Sequence, residues 1–430
     1  MNYTDTVEYL YACLPIYQKI GSAALKKDLT NTRILLQVLG NPQDSFKTIH
    51  IAGTNGKGST AHTLAAILQA AGYKTGLYTS PHLKSFTERI KINGKEMTES
   101  AVVDFVRKMK DKIEAIKPSF FEVTVAMALD FFAREEVDIA VVETGLGGRL
   151  DSTNIILPQL AVITNIGFDH QAILGNTLEE IASEKAGIIK PDIPVVIGEY
   201  QPSIAHVFED KAGKVRAPIY FADKSYEVKA VDSGNDGFRV DIYFLEEIWM
   251  QDLHVSLPGM YQLKNVPGIL QAVQVLRQMG YQLTDTAVKR GFSQVKSLTG
   301  LKGRWQILQE SPLVVCDTGH NEAGIGYIVK HLSALNHKEL YIIFGVANDK
   351  TLDPILAALP KEAFYFFCQA HVPRALGAVE LASQASRFGL KGKVVLDVND
   401  ALEEAKAMAN NDDVIFIGGS NFVVAEIDGL

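Results

Sequence analysis

At 430 residues the chain exceeds what one hydrophobic core ordinarily holds, so two domains are the starting expectation. With 42 basic against 50 acidic residues and a formal charge of -8, it is not composed as a general nucleic-acid or anionic-membrane binder, and any anionic ligand must be held locally. No apolar stretch is long enough to span a bilayer, Met1 to Leu10 lacks the pattern of a secretory signal, and Cys13, Cys316 and Cys368 lie too far apart for a metal knuckle or redox pair. Cys316 and Cys368 fall in apolar runs that predict buried, reduced thiols; a cytoplasmic protein is expected, as a monomer.

Short β-rich apolar runs at residues 48–52, 77–79, 139–143, 161–165 and 195–198 alternate with stretches at 60–71, 99–116, 122–134 and 178–189 that carry apolar residues at helical spacing. This alternation predicts a mainly parallel sheet covered by helices. From about 217 to 257 the pattern changes: Gly234, Asp236 and Gly237 interrupt alternating segments, which predicts a small antiparallel excursion ending at Pro258-Gly259. A helix over about 261–279 follows. A second α/β series then has strands at 313–317, 340–345, 364–368, 394–397 and 414–418. The segment 297–303, with Gly300 and Gly303 among polar residues, reads as a hinge. The expected fold is therefore α/β, with a P-loop-type N-terminal domain over 1–297 and a smaller Rossmann-like domain over 298–430.

The strongest local feature is the strand at 48–52 running into Gly53-Thr54-Asn55-Gly56-Lys57-Gly58-Ser59-Thr60 and a helix start. Glycines let backbone N–H groups converge, the helix N-terminus adds partial positive charge, and Lys57 adds a full one, so a nucleotide's phosphates belong here. Ser59 or Thr60 is placed to reach a magnesium ion. The loop departs from G-x-x-x-x-G-K-[ST], because Gly58 separates Lys57 from Ser59. Gly145 to Arg149 follows a strand but lacks the spacing of a dinucleotide fingerprint, and reads as a loop that lets backbone approach a substrate.

With this loop, Thr79-Ser80-Pro81-His82-Leu83, Glu88-Arg89-Ile90, the run from Glu143 to Asn154, Asp169-His170, Glu184-Lys185-Ala186-Gly187-Ile188, Gln262 with Asn265, Gly303-Arg304, Asp317 with His320-Asn321, and Gly419-Ser420, the chain resembles the folylpolyglutamate synthase and dihydrofolate synthase family, relatives of the Mur ligases. The resemblance implies ATP held between two domains. Thr54, Asn55, Gly56, Lys57, Gly58 and Ser59 take the phosphates, and Asn265, Arg304 and Asp317 the adenosine. It also implies magnesium, two ions in all, on Ser80, Glu143, His170 and Lys185, the last as a carbamate; Lys57, Glu143, His170 and Lys185 form the catalytic set. Phe121, Glu122 and Asp151 are assigned to the pteroate, though capping and packing explain them equally well from the residues alone. His320 and Ser420 are assigned to the incoming glutamate. The sequence departs from the family at Tyr261, where a histidine is usual, and over residues 27–33, which help bind the pterin in relatives.

The implied reaction is ATP-dependent addition of L-glutamate to a folate or to dihydropteroate through an acyl phosphate. An ionised carboxylate repels nucleophiles and has no usable leaving group until it is phosphorylated; the protein then has only to position reactants and neutralise charge. Two other readings stand beside it. One is a Mur-type ligase acting on a nucleotide-linked peptide, against which only 47 residues precede the first strand at 48–52. The other is a nucleotide-binding regulatory protein, against which Lys57, Glu143, His170 and Lys185 are all in place.

Overall fold

The computed structural model describes residues 1–15, 28–348 and 352–430; Lys27 and the side chain of Cys13 fall outside what it describes. The chain divides into two compact units, the first comprising Met1–Ser233, Phe238–Ser256 and Gln262–Leu301, the second Gly234–Gly237, Leu257–Tyr261 and Lys302–Leu430.

The first unit is built on eight strands: β1 Lys47–Ala52, β2 Thr75–Tyr78, β3 Ile90–Ile92, β4 Lys95–Glu96, β5 Ile139–Glu143, β6 Leu160–Ile163, β7 Val195–Ile197 and β8 Ile219–Phe221. They lie in the order β4-β3-β2-β5-β1-β6-β7-β8, and all pairings are parallel except those of β3. Strands β1 and β5 are buried on both faces because helices cover both sides, with Thr48 and His50 the buried polar residues of β1. The register sets Ile51 opposite Glu143, so the glycine loop after β1 and the carboxylate ending β5 share the C-terminal edge of the sheet, where ligands of open α/β sheets collect.

The helix Glu99–Ile116 shows why the pattern was legible. Thr98 caps it, Lys117 closes it in the left-handed region, and Val102, Val103, Phe105, Val106, Met109 and Ile113 form its buried stripe. Each such apolar side chain contributes about 1.5–3 kcal/mol on burial. The helix after the glycine loop, Lys57–Ala70, is buried almost throughout, and Gly291 lets a neighbouring helix, Asp285–Ser293, approach it so closely that a Cβ there would meet Ile67 at 2.4 Å. The antiparallel excursion is a three-stranded sheet, β9 Tyr226–Gly234, β10 Gly237–Phe244 and β11 Glu247–Val255. It starts later than expected, because Ile219–Phe221 pairs with β7 as the last parallel strand.

The second unit carries β12 Gln306–Glu310, β13 Leu313–Cys316, β14 Leu340–Phe344, β15 Phe364–Phe367, β16 Lys391–Val394 and β17 Val414–Gly418, ordered β12-β13-β17-β14-β15-β16 with only β12 antiparallel. The strand expected at 394–397 is displaced to Lys391–Val394. Asp397 instead caps the helix Val398–Met408. In the expected hinge, Ser297 to Thr299 finish a short helix, Val295–Thr299, whose end is pinned: the Thr299 hydroxyl lies 2.7 Å from His62 Nδ1, and Lys91 donates to the Thr299 carbonyl at 3.0 Å. Cys316 and Cys368 are buried free thiols. Among the described residues no helix is long and apolar enough to cross a membrane.

Candidate active site

The glycine loop is shaped by its own backbone. Gly56 lies at φ +81° at the head of the helix Lys57–Ala70, and a Cβ there would meet Asn265 Oδ1 at 2.2 Å; a Cβ on Gly53, at φ +144°, would meet Thr164 Oγ1 at 1.8 Å. The loop is held from β6 outward: the Asn55 N–H donates to Asn165 Oδ1 at 3.0 Å, Thr164 Oγ1 donates to the Asn55 carbonyl at 2.6 Å, and the Gly167 N–H donates to Thr54 Oγ1 at 3.0 Å. Thr164 and Asn165 were not read as site residues from sequence, although polar groups ending a predicted strand beside β1 are the signal that finds them. Gln262 donates to Ser59 Oγ at 3.0 Å and accepts from Asn265 at 2.9 Å, tying the loop to the helix Gln262–Gln278. Thr60 Oγ1 is buried with no protein partner.

Two lysines converge on one carbonyl. Lys57 Nζ donates to Gly53 O at 3.1 Å and to Thr54 O at 3.0 Å, while Lys185 Nζ, from the helix Leu178–Ala186, donates to the same Gly53 O at 2.7 Å. Lys185 is buried; desolvation first, and then the Lys57 charge, push its pKa down from the ordinary lysine value to about 7. The Asp169 carboxylate acts on Lys185 in the opposite direction and also receives the His170 N–H at 2.9 Å. His170 itself sits in the left-handed region at φ +50°. Across the edge of the sheet, Glu143 is buried and accepts from the Ser80 N–H at 3.1 Å. Lys57, Lys185, Gly53 and the Asp169-His170 pair therefore make one cluster, and Ser80 with Glu143 a second on neighbouring strands.

Both oxygens of Asp151 are engaged by its own loop, from the N–H groups of Thr153 and Leu146 and the Thr153 hydroxyl, and burial pushes its carboxyl up. Asp151 thus caps the turn Ser152–Ile155. Glu122 closes a capping box with Ser119 through one oxygen, which also receives Asn31, but its other oxygen, Oε1, is buried without a partner. Phe121 packs where a Cβ on Gly145 would fall, 2.4 Å from its ring, and a Cβ on Gly148 would meet the carbonyls of Glu184 and Lys185 at 2.9 Å. The glycines of the Gly145 to Arg149 loop are demanded by this internal packing.

In the second unit, Asp317 is buried and accepts from Tyr261 Oη and from the N–H groups of Trp305 and Gly319, so tyrosine at the family's histidine position keeps a polar role. Arg304 donates to Thr318 Oγ1 and to the Gly303 carbonyl. His320 follows β13 and lies 3.0 Å from the Thr318 carbonyl; Ser420 follows the adjacent parallel strand β17 and caps the helix Asn421–Glu426.

A model of the Mur ligase middle domain matches residues 51–273, and one of the Mur ligase glutamate ligase domain matches residues 303–421. The chain is 33% identical to the dihydrofolate synthase/folylpolyglutamate synthase of Bacillus subtilis, over 99% of this chain and 98% of that protein. The chain belongs to the folylpolyglutamate synthase/dihydrofolate synthase family of Mur ligases. Two solved members of that family superpose over nearly its whole length. Mycobacterium tuberculosis folylpolyglutamate synthase complexed with ADP gives a TM-score of 0.88 at 32% identity, covering 98% of this chain and 96% of that one. Escherichia coli FolC in complex with DHPP and ADP gives 0.86 at 29% identity, covering 99% and 96%.

For this family member the loop geometry yields a first expected result. Gly56→Ala forces a side chain into the left-handed region, at a cost of about 1 kcal/mol, and into the space of Asn265. The KM for ATP should rise about tenfold, about 1.4 kcal/mol corresponding to one decade, while the strain in the free fold lowers the melting temperature by about 2–4 °C. An unchanged KM in steady-state assays would show that the loop does not hold the nucleotide.

Proposed function

We propose that this chain joins L-glutamate in amide linkage to a folate, to dihydropteroate, or to both, with ATP converted to ADP and phosphate. The observation that carries the reading is the convergence of Lys57 and Lys185 on the Gly53 carbonyl, at the head of a helix and on the sheet edge that also presents Glu143. Cationic groups, loop N–H groups and a helix N-terminus together suit a polyphosphate and the carboxylate it activates.

The reaction has two transfers. A carboxylate oxygen of the acceptor attacks the γ-phosphorus of ATP and ADP leaves; the glutamate amine then attacks the acyl carbon, phosphate leaves, and the amine gives up a proton to solvent or phosphate. No enzyme nucleophile is needed. Thr54 to Ser59 bind the phosphates, with Lys57 neutralising charge that moves toward the leaving oxygen. Asn265, Arg304 and Asp317 are assigned to the adenosine, and His320 and Ser420, which end adjacent strands, to the incoming glutamate. For the pteroate, Phe121 offers an aromatic face and Glu122 its unpartnered Oε1, an acceptor for ring N–H donors.

The donor set fits magnesium. Glu143 and the Ser80 segment are adjacent, Thr60 Oγ1 is a buried oxygen with no partner, and a carbamate on Lys185 would add oxygens where a second ammonium beside Lys57 is unfavourable. Ser80, Glu143, His170 and carbamylated Lys185 would hold two ions, whose charge would offset that of the phosphates and the acceptor carboxylate. The reading also takes the protein as a cytoplasmic monomer without nucleic-acid or membrane partners, in keeping with the charge of -8 and two buried thiols.

An isotope experiment tests the mechanism. With heavy oxygen in the acceptor carboxylate, one labelled oxygen should appear in the released phosphate for each amide formed. Unlabelled phosphate would exclude an acyl phosphate.

A further inference from the structure

Arg89 ends the short helix Phe86–Arg89 and is only 3% exposed, a burial that guanidinium groups reach when they are paired. The groups named in contact with it are neutral. Nε donates to His82 Nδ1 at 2.7 Å, and the guanidinium carbon lies 5.4 Å from the centroid of the Phe120 ring. His82 meets the Tyr11 hydroxyl through Nε2 at 3.1 Å, and its Nδ1, which accepts from Arg89, carries no proton, so the ring brings no positive charge. Among the described residues no carboxylate forms an ion pair with Arg89. Among the described residues the guanidinium is therefore enclosed without a counter-ion.

Its position bears on the active site. Arg89, Asp151 and Glu143 all act electrostatically on the buried Tyr78 hydroxyl, whose ring lies 6.1 Å from that of Phe121. The two acids are already engaged, Asp151 by its own loop and Glu143 by the Ser80 N–H. What this corner lacks is a mobile anion.

We infer that Arg89 receives the acceptor carboxylate that is not activated, namely the α-carboxylate of a folate's terminal glutamyl residue. The inference rests on the proposed glutamate-ligase reading. Dihydropteroate carries a single carboxylate, which must itself be activated; a folate ending in glutamate carries two, and the second enters a buried site only against a counter-charge. A planar guanidinium fork matches a planar carboxylate, and the aromatic rings of Phe120 and Tyr78 keep water away from the pair. Arg89 is then a specificity residue that separates glutamylated from unglutamylated acceptors.

The test compares tetrahydrofolate with dihydropteroate as acceptors for the wild type, Arg89→Gln and Arg89→Lys. The ratio of kcat/KM for tetrahydrofolate to that for dihydropteroate should fall about tenfold or more in Arg89→Gln, mainly through KM, with partial recovery in Arg89→Lys, as expected for losing a charge-assisted bond. If the wild type turns over only one acceptor, equilibrium binding of both to the ATP-free enzyme gives the same ratio. Should Arg89→Gln fail to fold, Arg89→Lys, which keeps the charge without the fork, must still lower the ratio. An unchanged ratio, including an equal loss on both acceptors, overturns the inference while leaving the ligase reading intact. A wild type with no acceptor-dependent ADP release overturns both.

Discussion

Lys57→Ala is expected to lower kcat by about a hundredfold to a thousandfold while the protein stays folded, the scale of removing one positioned charge from a developing oxyanion, about 3–4 kcal/mol. Among the described residues the side chain makes two hydrogen bonds, both to carbonyls of its own loop, Gly53 and Thr54, and belongs to none of the buried apolar clusters. Its loss therefore removes little from stability. Removing it also leaves Lys185 as the sole ammonium on the Gly53 carbonyl, which relieves a repulsion in the folded state. A melting temperature equal to or above that of the wild type, together with collapsed turnover, is the expected pair of observations. Activity within about tenfold of the wild type, roughly 1.4 kcal/mol, contradicts the role.

Lys185→Ala is expected to abolish turnover to a comparable extent, for a different reason. A buried ammonium 2.7 Å from a carbonyl that a second lysine also uses is a poor resting state, whereas the neutral amine reacts with carbon dioxide to give a carbamate that reverses the sign of the charge. Isotope-labelled bicarbonate should give a carbamate carbon resonance in the wild type that is missing from Lys185→Ala. A short carboxylic acid should restore part of the mutant's activity by supplying the missing oxygens. Because protonation competes with carbamylation, and the folded-state pKa is lowered to about 7, the resonance should weaken as pH falls through that value and strengthen above it. A fully active wild type without the resonance, in which dissolved carbon dioxide makes no difference, rules the carbamate out.

Much of this architecture could be read from residue pattern because local and tertiary demands agree. Strand β1 carries a short run rich in β-branched and apolar residues that leads directly into a glycine loop, the pattern of a covered parallel strand entering a tight turn. Glu99–Ile116 likewise has its cap, stripe and end signal in order. Other elements were hidden for stated reasons. The edge strand Lys391–Val394 is polar and exposed along its length, and depends on pairing with β15, where a Cβ on Gly392 would meet the Tyr365 carbonyl at 2.0 Å. The two-residue strand Lys95–Glu96 offers no periodicity at all. In the site, the loop residues were legible from glycine spacing and charge. The burial of Lys185 and Arg89 was not, since charged residues in short helices are ordinarily solvated and nothing local says otherwise. Asp151 shows the converse: its capping geometry is local, and the structure realises it.

The measurement that tests the central claim most directly is product mass. Purified protein incubated with ATP, magnesium, L-glutamate and either dihydropteroate or tetrahydrofolate should convert the acceptor to a species heavier by one glutamyl residue, or a ladder of such steps, with one ADP formed per residue added. Omission of either glutamate or acceptor should stop product formation. An acceptor of unchanged mass in both reactions, or ADP release that proceeds at full rate without any pterin acceptor, would contradict the assignment.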